Sequence, residues 1–320
     1  MPDLRGDTIG VDIGGTLVKI GRVTPGGGIV ERRDLSTSPD PERAIAEIAA
    51  AVAELRAGEN IAVGVGCAGL IDRVNGVVET SPNLAEWEGF PLGPQLSAAT
   101  KATVHVANDA NAFGLAEALF GAGRGHRLMV LLTLGTGIGG CVVEDGLMRD
   151  GAHGLAAEPG HMSIMMDGLP CPCGGRGCLE RYVGGRAIVE RARAGVESGA
   201  TDGALLRWVG ARLSDLTPRD VFEAALEEDE FCHRIFADAG RALGFGLVNL
   251  VNLLDPDVVI LGGGVALAGD ILLGPARRVV HEHSMVARRR MPVVRDSALG
   301  ESGGLIGASL VAREGGSGSR

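Results

Sequence analysis

Three cysteines in a short, glycine-rich stretch are the residues of this sequence with the most specific chemistry. Cys171 and Cys173 flank a single residue, and Cys178 follows across glycines that let the backbone turn tightly around a small centre. Three thiolates and one imidazole make a closed tetrahedral zinc site. A disulfide is a poor alternative, because a Cys-x-Cys pair bridges badly and three thiols leave one over. Spacing alone leaves two upstream candidates for the fourth ligand, His161 and His153.

An acid at the start of a predicted helix is the candidate catalytic group. Asp109 follows the apolar strand predicted at Val104–Ala107. The strand would bring its carboxylate to the carboxyl edge of a sheet, where the sites of α/β proteins form. Transfer of a phosphoryl group to an alcohol needs one carboxylate that accepts the hydroxyl proton. A simple helix cap is the competing interpretation of Asp109.

A first glycine turn, from Asp12 to Thr16, joins two predicted strands. Adjacent glycines let a ligand approach the backbone, and successive N–H groups can bind an anion. An acid just before them suits a Mg²⁺-nucleotide, whose metal needs a carboxylate near the phosphates. A plain hairpin is the alternative. We predict that this turn binds a Mg²⁺-nucleotide, with Asp12 toward the metal and Gly14, Gly15 and Thr16 toward the phosphates, and we leave the nearby Lys19 unassigned.

A second glycine turn, Gly135-Thr-Gly-Ile-Gly-Gly140, matches the G-x-G-x-x-G pattern of dinucleotide-binding folds. That interpretation fails on context, because such a loop opens a helix whereas Cys141–Glu144 reads as a strand. We therefore predict a second phosphate hairpin. In it, Thr136 and the backbone amides of Gly135 and Gly137 would face the β- and γ-phosphates.

Apolar periodicity places these segments between strands and helices. A helix is predicted from Pro41, with Asp40 as its N-cap and Gly58 as its stop. A second helix is predicted at 109–120, and a long helical region at about 220–254. Because strand, glycine turn and strand occur twice, we predict two related α/β domains hinged over a cleft. Strands are predicted at Thr8–Ile13, Leu17–Val23, Ile29–Leu35, Ile61–Cys67, Met129–Leu134 and Val258–Leu261.

The composition of the 320 residues favours a cytoplasmic enzyme. There are 40 acidic and 30 basic residues, and the net charge of −10 disfavours binding to nucleic acid or to an anionic membrane. No apolar run reaches the length of a membrane span, and the first residues lack a signal-peptide pattern. Cysteines used for metal rather than for disulfides indicate a reducing compartment. Only 3% of the residues are aromatic, so the core must consist of aliphatic side chains.

Two neighbouring motifs resemble the ROK family of sugar kinases and repressors. Glu158-Pro-Gly-His161 matches the family's E-x-G-H. The ten residues from Cys171 to Glu180 match its C-x-C-G-x-x-G-C-x-E without a gap or substitution. The resemblance covers residues 8 to 312 and favours His161 over His153 as the fourth zinc ligand. It implies a two-domain α/β fold of the ribonuclease-H-like, actin-like ATPase type with an interdomain cleft.

The expected domains follow from this fold. Residues 1–115 would form a small α/β domain, and residues 116–302 a large α/β domain that carries the zinc knot and the nucleotide segments. The last helix, at about 303–313, would return to the small domain. Residues 314–320, rich in glycine and serine, would form a flexible tail.

For the enzymes of this family, the resemblance implies ATP- and Mg²⁺-dependent phosphorylation of a hexose at the 6-hydroxyl, with glucose as the first candidate. Asp109 would be the base, and Gly262, Gly263 and Gly264 would accommodate the adenosine. Trp87 is expected in the core or in a lid rather than on the sugar. The residues that would face the sugar or support its pocket are Asn83, Asn108, Asp109, Glu158, His161 and Glu180. The structural Zn²⁺ would be held by His161, Cys171, Cys173 and Cys178.

Several alternatives stay open at this point. The hexose could be fructose, mannose or an N-acetylhexosamine, and polyphosphate could serve as the phosphoryl donor. A non-catalytic sugar-binding protein is disfavoured by the two phosphate hairpins. A sugar-sensing repressor of the same family would need a DNA-binding domain before the first glycine turn, where few residues precede Asp12. By analogy with the family, we expect a homodimer or homotetramer.

Overall fold

The computed structural model describes residues 6–201, 203–209 and 213–314. Strands β1 to β12, numbered along the chain, lie at Thr8–Ile13, Leu17–Val23, Ile29–Ser36, Val63–Cys67, Leu70–Asp72, Val77–Thr80, Val104–Asn108, Leu128–Leu134, Ile138–Glu144, Leu147–Met148, Val258–Gly262 and Val293–Asp296. Helices α1 to α10 lie at Pro41–Arg56, Leu92–Thr100, Asp109–Leu119, Glu180–Val183, Gly185–Glu197, Ala204–Val209, Pro218–Leu226, Glu230–Leu254, Asp270–His283 and Gly303–Glu314.

The two five-stranded sheets arrange their strands in the same pattern relative to the order of the strands in the chain. The first runs β3-β2-β1-β4-β7 and the second β10-β9-β8-β11-β12, while β5 and β6 pair separately. In the first sheet, β1 is antiparallel to β2 and parallel to β4, and β4 is parallel to β7. Each sheet therefore begins with a strand, a glycine turn and a return strand, which confirms the predicted repeat.

The described residues fall into two compact units. The first unit holds the residues up to 130, residues 141–157 and the residues from 297 onward, and the second holds residues 131–140 and 158–296. Helix α10 belongs to the first unit, where it packs on α3, β1 and β4. All of α3 also lies in the first unit, so this division comes later in the chain than the predicted boundary near residues 110–120. Domains at 1–115 and 116–302 stay a prediction. Of the predicted tail, Glu314 ends α10 and residues 315–320 lie outside the described part.

The sequence explains where α1 begins and ends. Asp40 is its N-cap, as predicted, and its Oδ1 accepts hydrogen bonds from the backbone N–H groups of Glu42 and Arg43 at 3.0 and 3.4 Å. At the other end, Ala57 adopts a left-handed conformation (φ 47°), and Gly58 follows with φ 87°. The predicted stop is therefore confirmed to within two residues.

Glycines let α10 lie directly on the first sheet and on α3. A Cβ atom on Gly64 of β4 would stand 2.0 Å from the carbonyl oxygen of Ala308. One on Gly307 would stand 1.9 Å from the carbonyl oxygen of Ala112. A side chain at either position would force the backbones apart, so these glycines fix the distance between α10 and the elements around it.

The core of the first unit is almost entirely aliphatic, as the composition predicts. Trp87 is fully buried in it, and its Nε1 donates to the backbone carbonyls of Ser38 and Pro39 at 3.3 and 3.1 Å. This placement confirms Trp87 as a core residue.

The long helical region predicted at 220–254 is interrupted. Helix α7 ends at Leu226, and Asp229 caps α8 by accepting a hydrogen bond from the N–H of Cys232 at 3.1 Å. Glu228 between them has φ 64°, which a continuous helix does not allow. None of the described helices is both long and apolar enough to cross a membrane.

Candidate active site and metal centre

Asn108 and Asp109 stand where β7 meets α3. Asn108 is the N-cap of α3, since its Oδ1 accepts from the N–H of Asn111 at 3.0 Å, and its Nδ2 donates to the carbonyl of Gly69 at 2.8 Å. Asp109 is therefore not the cap. Its Oδ1 accepts from the N–H of Ala110 at 2.9 Å. Because a carboxylate has two acceptor oxygens, the Asp109 side chain keeps capacity for a ligand, whereas the side chain of Asn108 also hydrogen-bonds that of Asp109 and keeps little.

Two carboxylates lie at the carboxyl edge of three parallel strands. Asp12 is next to the last residue of β1, and Asp109 follows β7. Burial raises the pKa of Asp12 to about 6, and repulsion by Asp109 adds to the rise, while Lys19 and Arg32 oppose it. Burial also raises the pKa of Asp109. The ammonium group of Lys19 donates to the carbonyl of Glu301 at 3.3 Å. The two carboxylates, Asp12 and Asp109, therefore favour binding of a ligand that brings a cation or a hydroxyl proton.

The first glycine turn is open to solvent and lies beside a proposed sugar residue. Gly15 and Thr16 are exposed, and the carbonyl of Gly14 accepts from Oγ1 of Thr37 at 2.7 Å. A Cβ atom on Gly15 would stand 2.9 Å from the Cβ of Asn83. The exposed Asn83 thus lies against the turn, which directly follows β1 and its Asp12.

The second glycine turn is shorter than predicted, because β9 begins at Ile138 and takes up the last glycines. Its carbonyls are bound by the start of α5. The carbonyl of Gly135 accepts from the N–H of Gly185 at 2.8 Å, and that of Thr136 accepts from the N–H of Arg186 at 3.1 Å. Two hydrogen bonds therefore anchor the turn at a helix N-terminus, whose dipole favours anions.

A cavity of about 820 Å³ in the second unit brings distant segments together. The predicted residues Gly135, Thr136 and Gly264 line it, whereas Gly262 and Gly263 do not. Gly263 instead has φ 88° and packs against the backbone of Leu134, so it shapes the turn. Sequence reasoning missed the lining residues supplied by α5, α7, α8 and the turn that follows β11, namely Gly185, Arg186, Val189, Arg193, Thr217, Pro218, Arg219, Phe222, Glu223, Phe236, Val265, Leu267 and Ala268.

The predicted metal ligands form one cluster. One ligand atom each from His161, Cys171, Cys173 and Cys178 lies within 4.8 Å of the other three, and His153 is not part of the cluster. The Sγ atoms of Cys173 and Cys178 are 3.7 Å apart, as are Sγ of Cys171 and Nδ1 of His161. Tetrahedral zinc with bonds of about 2.3 Å requires a sulfur–sulfur distance of about 3.8 Å. The donor set and its spacing fit structural zinc.

Glu180 connects the metal cluster to the second glycine turn. Its Oε1 lies 3.3 Å from Sγ of Cys171 and 3.8 Å from Nδ1 of His161. Its Oε2 lies on the other side, 2.7 Å from where a Cβ atom on Gly137 would be. The carboxylate thus touches two segments that the sequence suggested for different ligands.

The turn that carries Glu158 and His161 packs on β9 through glycines. A Cβ atom on Gly160 would stand 2.1 Å from the carbonyl oxygen of Ile138, and one on Gly140 would stand 2.3 Å from Cγ of Pro159. The side chain of Glu158 is partly buried, and that of His161 is more than a third exposed. His161 therefore presents Nδ1 to the cluster and keeps an accessible ring edge.

Each unit contains one set of the predicted residues. The first unit holds the acids and the amides, Asp12, Gly14, Gly15, Thr16, Asn83, Asn108 and Asp109. The second unit holds the metal cluster, the second turn and the remaining acids, Gly135, Thr136, Gly137, Glu158, His161, Cys171, Cys173, Cys178, Glu180, Gly262, Gly263 and Gly264.

Known proteins resemble this chain over nearly its whole length. The sequence model of the ROK family matches residues 8–315. The chain is 38% identical to a glucokinase of Thermotoga maritima, over 98% of this chain and 99% of that protein. The crystal structure of a ROK family glucokinase from Streptomyces griseus in complex with glucose and AMPPNP has 37% identity and a TM-score of 0.80, covering 97% of this chain and all of that one.

A second solved structure extends the likeness. The ROK hexokinase from Thermus thermophilus is 32% identical, with a TM-score of 0.83 over 98% of this chain and 100% of that chain. The likeness to both structures confirms the predicted two-domain sugar-kinase fold class. Because the family match extends over nearly the whole described chain and the relatives align along their full length, the chain belongs to the ROK family.

Proposed function

We propose that this chain is an ATP-dependent hexose kinase that converts glucose to glucose 6-phosphate. The observation that carries the proposal is the pair of partly buried carboxylates, Asp12 and Asp109, at one edge of the first sheet. The glucokinases among its relatives, aligned over nearly their whole length, support the same activity.

Asp109 is the proposed base. Burial raises its pKa, so the carboxylate binds a proton more readily than a solvent-exposed aspartate does. Asn108, as the helix cap, fixes the backbone on which Asp109 stands. Asp109 would accept the proton of the 6-hydroxyl as the sugar oxygen forms its bond to phosphorus.

The donor site is proposed at the two glycine turns and the cavity. Bound ATP and its Mg²⁺ supply the transferable phosphoryl group and neutralise its charge. Asp12 would hold the metal, and the exposed backbone of Gly15 and Thr16 would contact phosphate. Gly135, Thr136 and Gly137 would contact the phosphates from the second turn, while the apolar wall of the cavity would receive the base and ribose.

The hexose is proposed to contact six side chains. Carboxylates, amides and an imidazole pair well with sugar hydroxyls, each of which can both donate and accept a hydrogen bond. The supporting geometry differs between them, since Asn83 is exposed whereas Asn108 is largely engaged by the backbone. The proposed set is Asn83, Asn108, Asp109, Glu158, His161 and Glu180.

Zinc is proposed as a structural ion in the cluster of three cysteines and His161. With four protein ligands the metal has no open position, so it would not take part in the chemistry. It would fix His161 and the loop that ends at Glu180. A cytoplasmic location and assembly as a homodimer or homotetramer stay predictions.

The first test is Asp109→Asn, which keeps the size of the side chain and leaves the cap at Asn108 intact. We expect kcat to fall by about 10²–10⁴-fold, because the proton acceptor is lost, and hexose binding to weaken far less. ADP release coupled to hexose phosphorylation measures kcat, and calorimetry measures binding. Retention of more than about a tenth of the original turnover would rule out Asp109 as the base. The exposed Glu42→Gln is the matched control.

The second test identifies the substrates. The unmodified chain is assayed with glucose, mannose, fructose and N-acetylhexosamines, and with ATP or polyphosphate as donor. The proposal predicts the largest kcat/KM for glucose with ATP. Preference for another hexose would correct the substrate, and no hexose-dependent ADP release would overturn the activity.

A further inference from the structure

Glu117 is a fully buried carboxylate with no role in the site described above. It lies on α3, the helix that begins at Asp109. Its Oε1 accepts hydrogen bonds from the N–H groups of Ala298 and Leu299 at 2.9 and 2.8 Å. Its Oε2 accepts from the N–H of Ala122 at 2.8 Å. One side chain therefore joins α3 to a segment about 180 residues further along the chain.

The segment that Glu117 binds is where the chain re-enters the first unit. Residues 158–296 belong to the second unit, and residues from Ser297 onward belong to the first. We call residues 297–304 the return segment. It leads from β12 into α10 and ends with Gly304 in the first turn of that helix.

The return segment also touches the acidic pair and its surroundings. A Cβ atom on Gly304 would stand 2.5 Å from Oδ2 of Asp12, so the segment lies against that carboxylate. The carbonyl of Glu301 accepts from the ammonium of Lys19, one of the two cations that lower the pKa of Asp12. Asp12 thus depends on the position of the return segment.

The other acid of the pair is linked through α3. A Cβ atom on Gly303 would stand 2.2 Å from Cε2 of Phe113, one turn after Asp109 on the same helix. Phe113 and Glu117 are four residues apart and so lie on one face of α3. That face is the one against which the return segment packs.

We propose that Glu117 is a positioning residue for phosphoryl transfer. By holding the return segment to α3, it sets the position of Asp12 relative to Asp109. The inference rests on the proposed function, in which these two acids hold the metal of the donor and accept the hydroxyl proton. A displacement of about 1 Å between groups that must act together can lower turnover by about a hundredfold.

The local structure shows why a carboxylate is required. Three backbone N–H groups point at the two oxygens of Glu117, and a carboxylate is the side chain that accepts at both. The loop after α3 also leaves no room for the Glu117 carboxylate to take another position. A Cβ atom on Gly121 would stand 2.1 Å from Oε2.

The test is Glu117→Gln, which keeps the shape but turns one acceptor into a donor. The new NH₂ group must face either the N–H of Ala122 or those of Ala298 and Leu299. The hydrogen bonds of the Glu117 side chain to one of these segments are therefore lost. We expect kcat for glucose to fall about tenfold or more, while KM for glucose and for ATP changes by less than about threefold. Hydrogen exchange at Ala298 and Leu299 should become faster.

Asp229→Asn is the matched control. Asp229 is also buried and accepts three hydrogen bonds, from the N–H groups of Cys232 and Leu205 and from Oγ1 of Thr201, but in the second unit. We expect this variant to lower thermal stability with unchanged kcat. If Glu117→Gln does not fold, Phe113→Leu tests the same segment from its other contact and should lower kcat in the same way.

The outcomes separate this inference from the proposed function. An active chain whose Glu117→Gln variant keeps kcat within about twofold, or whose Asp229→Asn control loses kcat equally, would overturn the positioning role. Absence of hexose-dependent ADP release from the unmodified chain would overturn the proposed function and the positioning role together.

Discussion

At the scale of single residues, the positions of Asp12 and Asp109 favour the proposed function but lower stability. Asp12 and Asp109 are both partly buried, and desolvation raises the pKa of each, while repulsion by Asp109 adds to the rise at Asp12. An ionised aspartate in such a place destabilises the empty protein, because desolvation and repulsion both act against its charge. A bound metal–nucleotide would relieve that cost, which is the pattern expected of residues kept for function rather than for stability.

The raised pKa of Asp12 predicts how the stability of the protein depends on pH. The pKa of Asp12 rises from 3.8 to about 6, so the folded state holds a proton that the unfolded state has lost between these values. Stability therefore falls as pH rises through this window, by up to about 3 kcal/mol at pH 7. Asp12→Asn should raise the free energy of unfolding at pH 7 by a similar amount and leave it nearly unchanged near pH 4, as measured by urea unfolding.

Activity provides the second readout for the same variant. We expect Asp12→Asn to lose most kinase activity while it gains stability, because the carboxylate that would hold the metal is absent. An equal stability gain at both pH values would show that ionisation of Asp12 is not the cause. A loss of stability at pH 7 would contradict the inferred burial cost.

At the scale of elements, the sequence predicts what depends on local patterns. The strands of the first sheet, the cap of α1 at Asp40 and the first glycine turn follow from periodicity and turn chemistry, and they are as expected. The break before α8 depends on the left-handed Glu228, for which the sequence offers no glycine. The cap of α3 is Asn108 rather than Asp109, and either residue type serves as a cap.

The cavity could not be predicted from motifs because its walls come from distant elements. Arg186 stands at the start of α5, Phe222 in the middle of α7 and Val265 after β11. Each of these residues looks like an ordinary helix or turn residue in the sequence. Tertiary packing alone brings them to the second glycine turn, so the sequence could point to the turn itself but not to the walls around it.

The second glycine turn yields a prediction that the structure alters. From sequence alone, Gly137→Val should impair ATP binding much more than sugar binding. The contact of Gly137 with Glu180 changes this expectation, because the new side chain must displace a proposed sugar ligand. We now expect KM to rise for both ATP and glucose.

Gly135→Ala is the matched control for this prediction. A Cβ atom at Gly135 meets no atom within 4 Å, so the change should leave KM for glucose unaltered. Steady-state kinetics with each substrate varied in turn make the comparison. A rise confined to ATP in Gly137→Val would mean that Glu180 moves aside without effect on the sugar.

At the scale of the whole molecule, the proposed tasks are divided between the two units. The first unit supplies the acidic pair, and the second supplies the cavity and the metal cluster. The six proposed sugar contacts are split equally, with Asn83, Asn108 and Asp109 in the first unit and Glu158, His161 and Glu180 in the second. Damage to one unit should therefore have a different kinetic result from damage to the other.

Zinc removal gives the last prediction. The cluster orders His161 and the loop up to Glu180, and a structural metal contributes its binding free energy to folding. Cys173→Ala, or treatment with a strong chelator, should raise KM for glucose and lower the thermal midpoint together. The proposed base, Asp109, lies in the first unit and is unchanged, so kcat at saturating glucose should fall less than kcat/KM. KM for ATP should change less than that for glucose.

Cys232→Ala serves as the control, since it removes a buried thiol that does not belong to the cluster. It should keep the full metal content and the original KM for glucose. Metal analysis of the active protein should find one zinc ion per chain, with at most a trace in the Cys173→Ala variant. Fully active protein without zinc, or a Cys173→Ala variant with unchanged glucose affinity, would show that the cluster does not organise the sugar site.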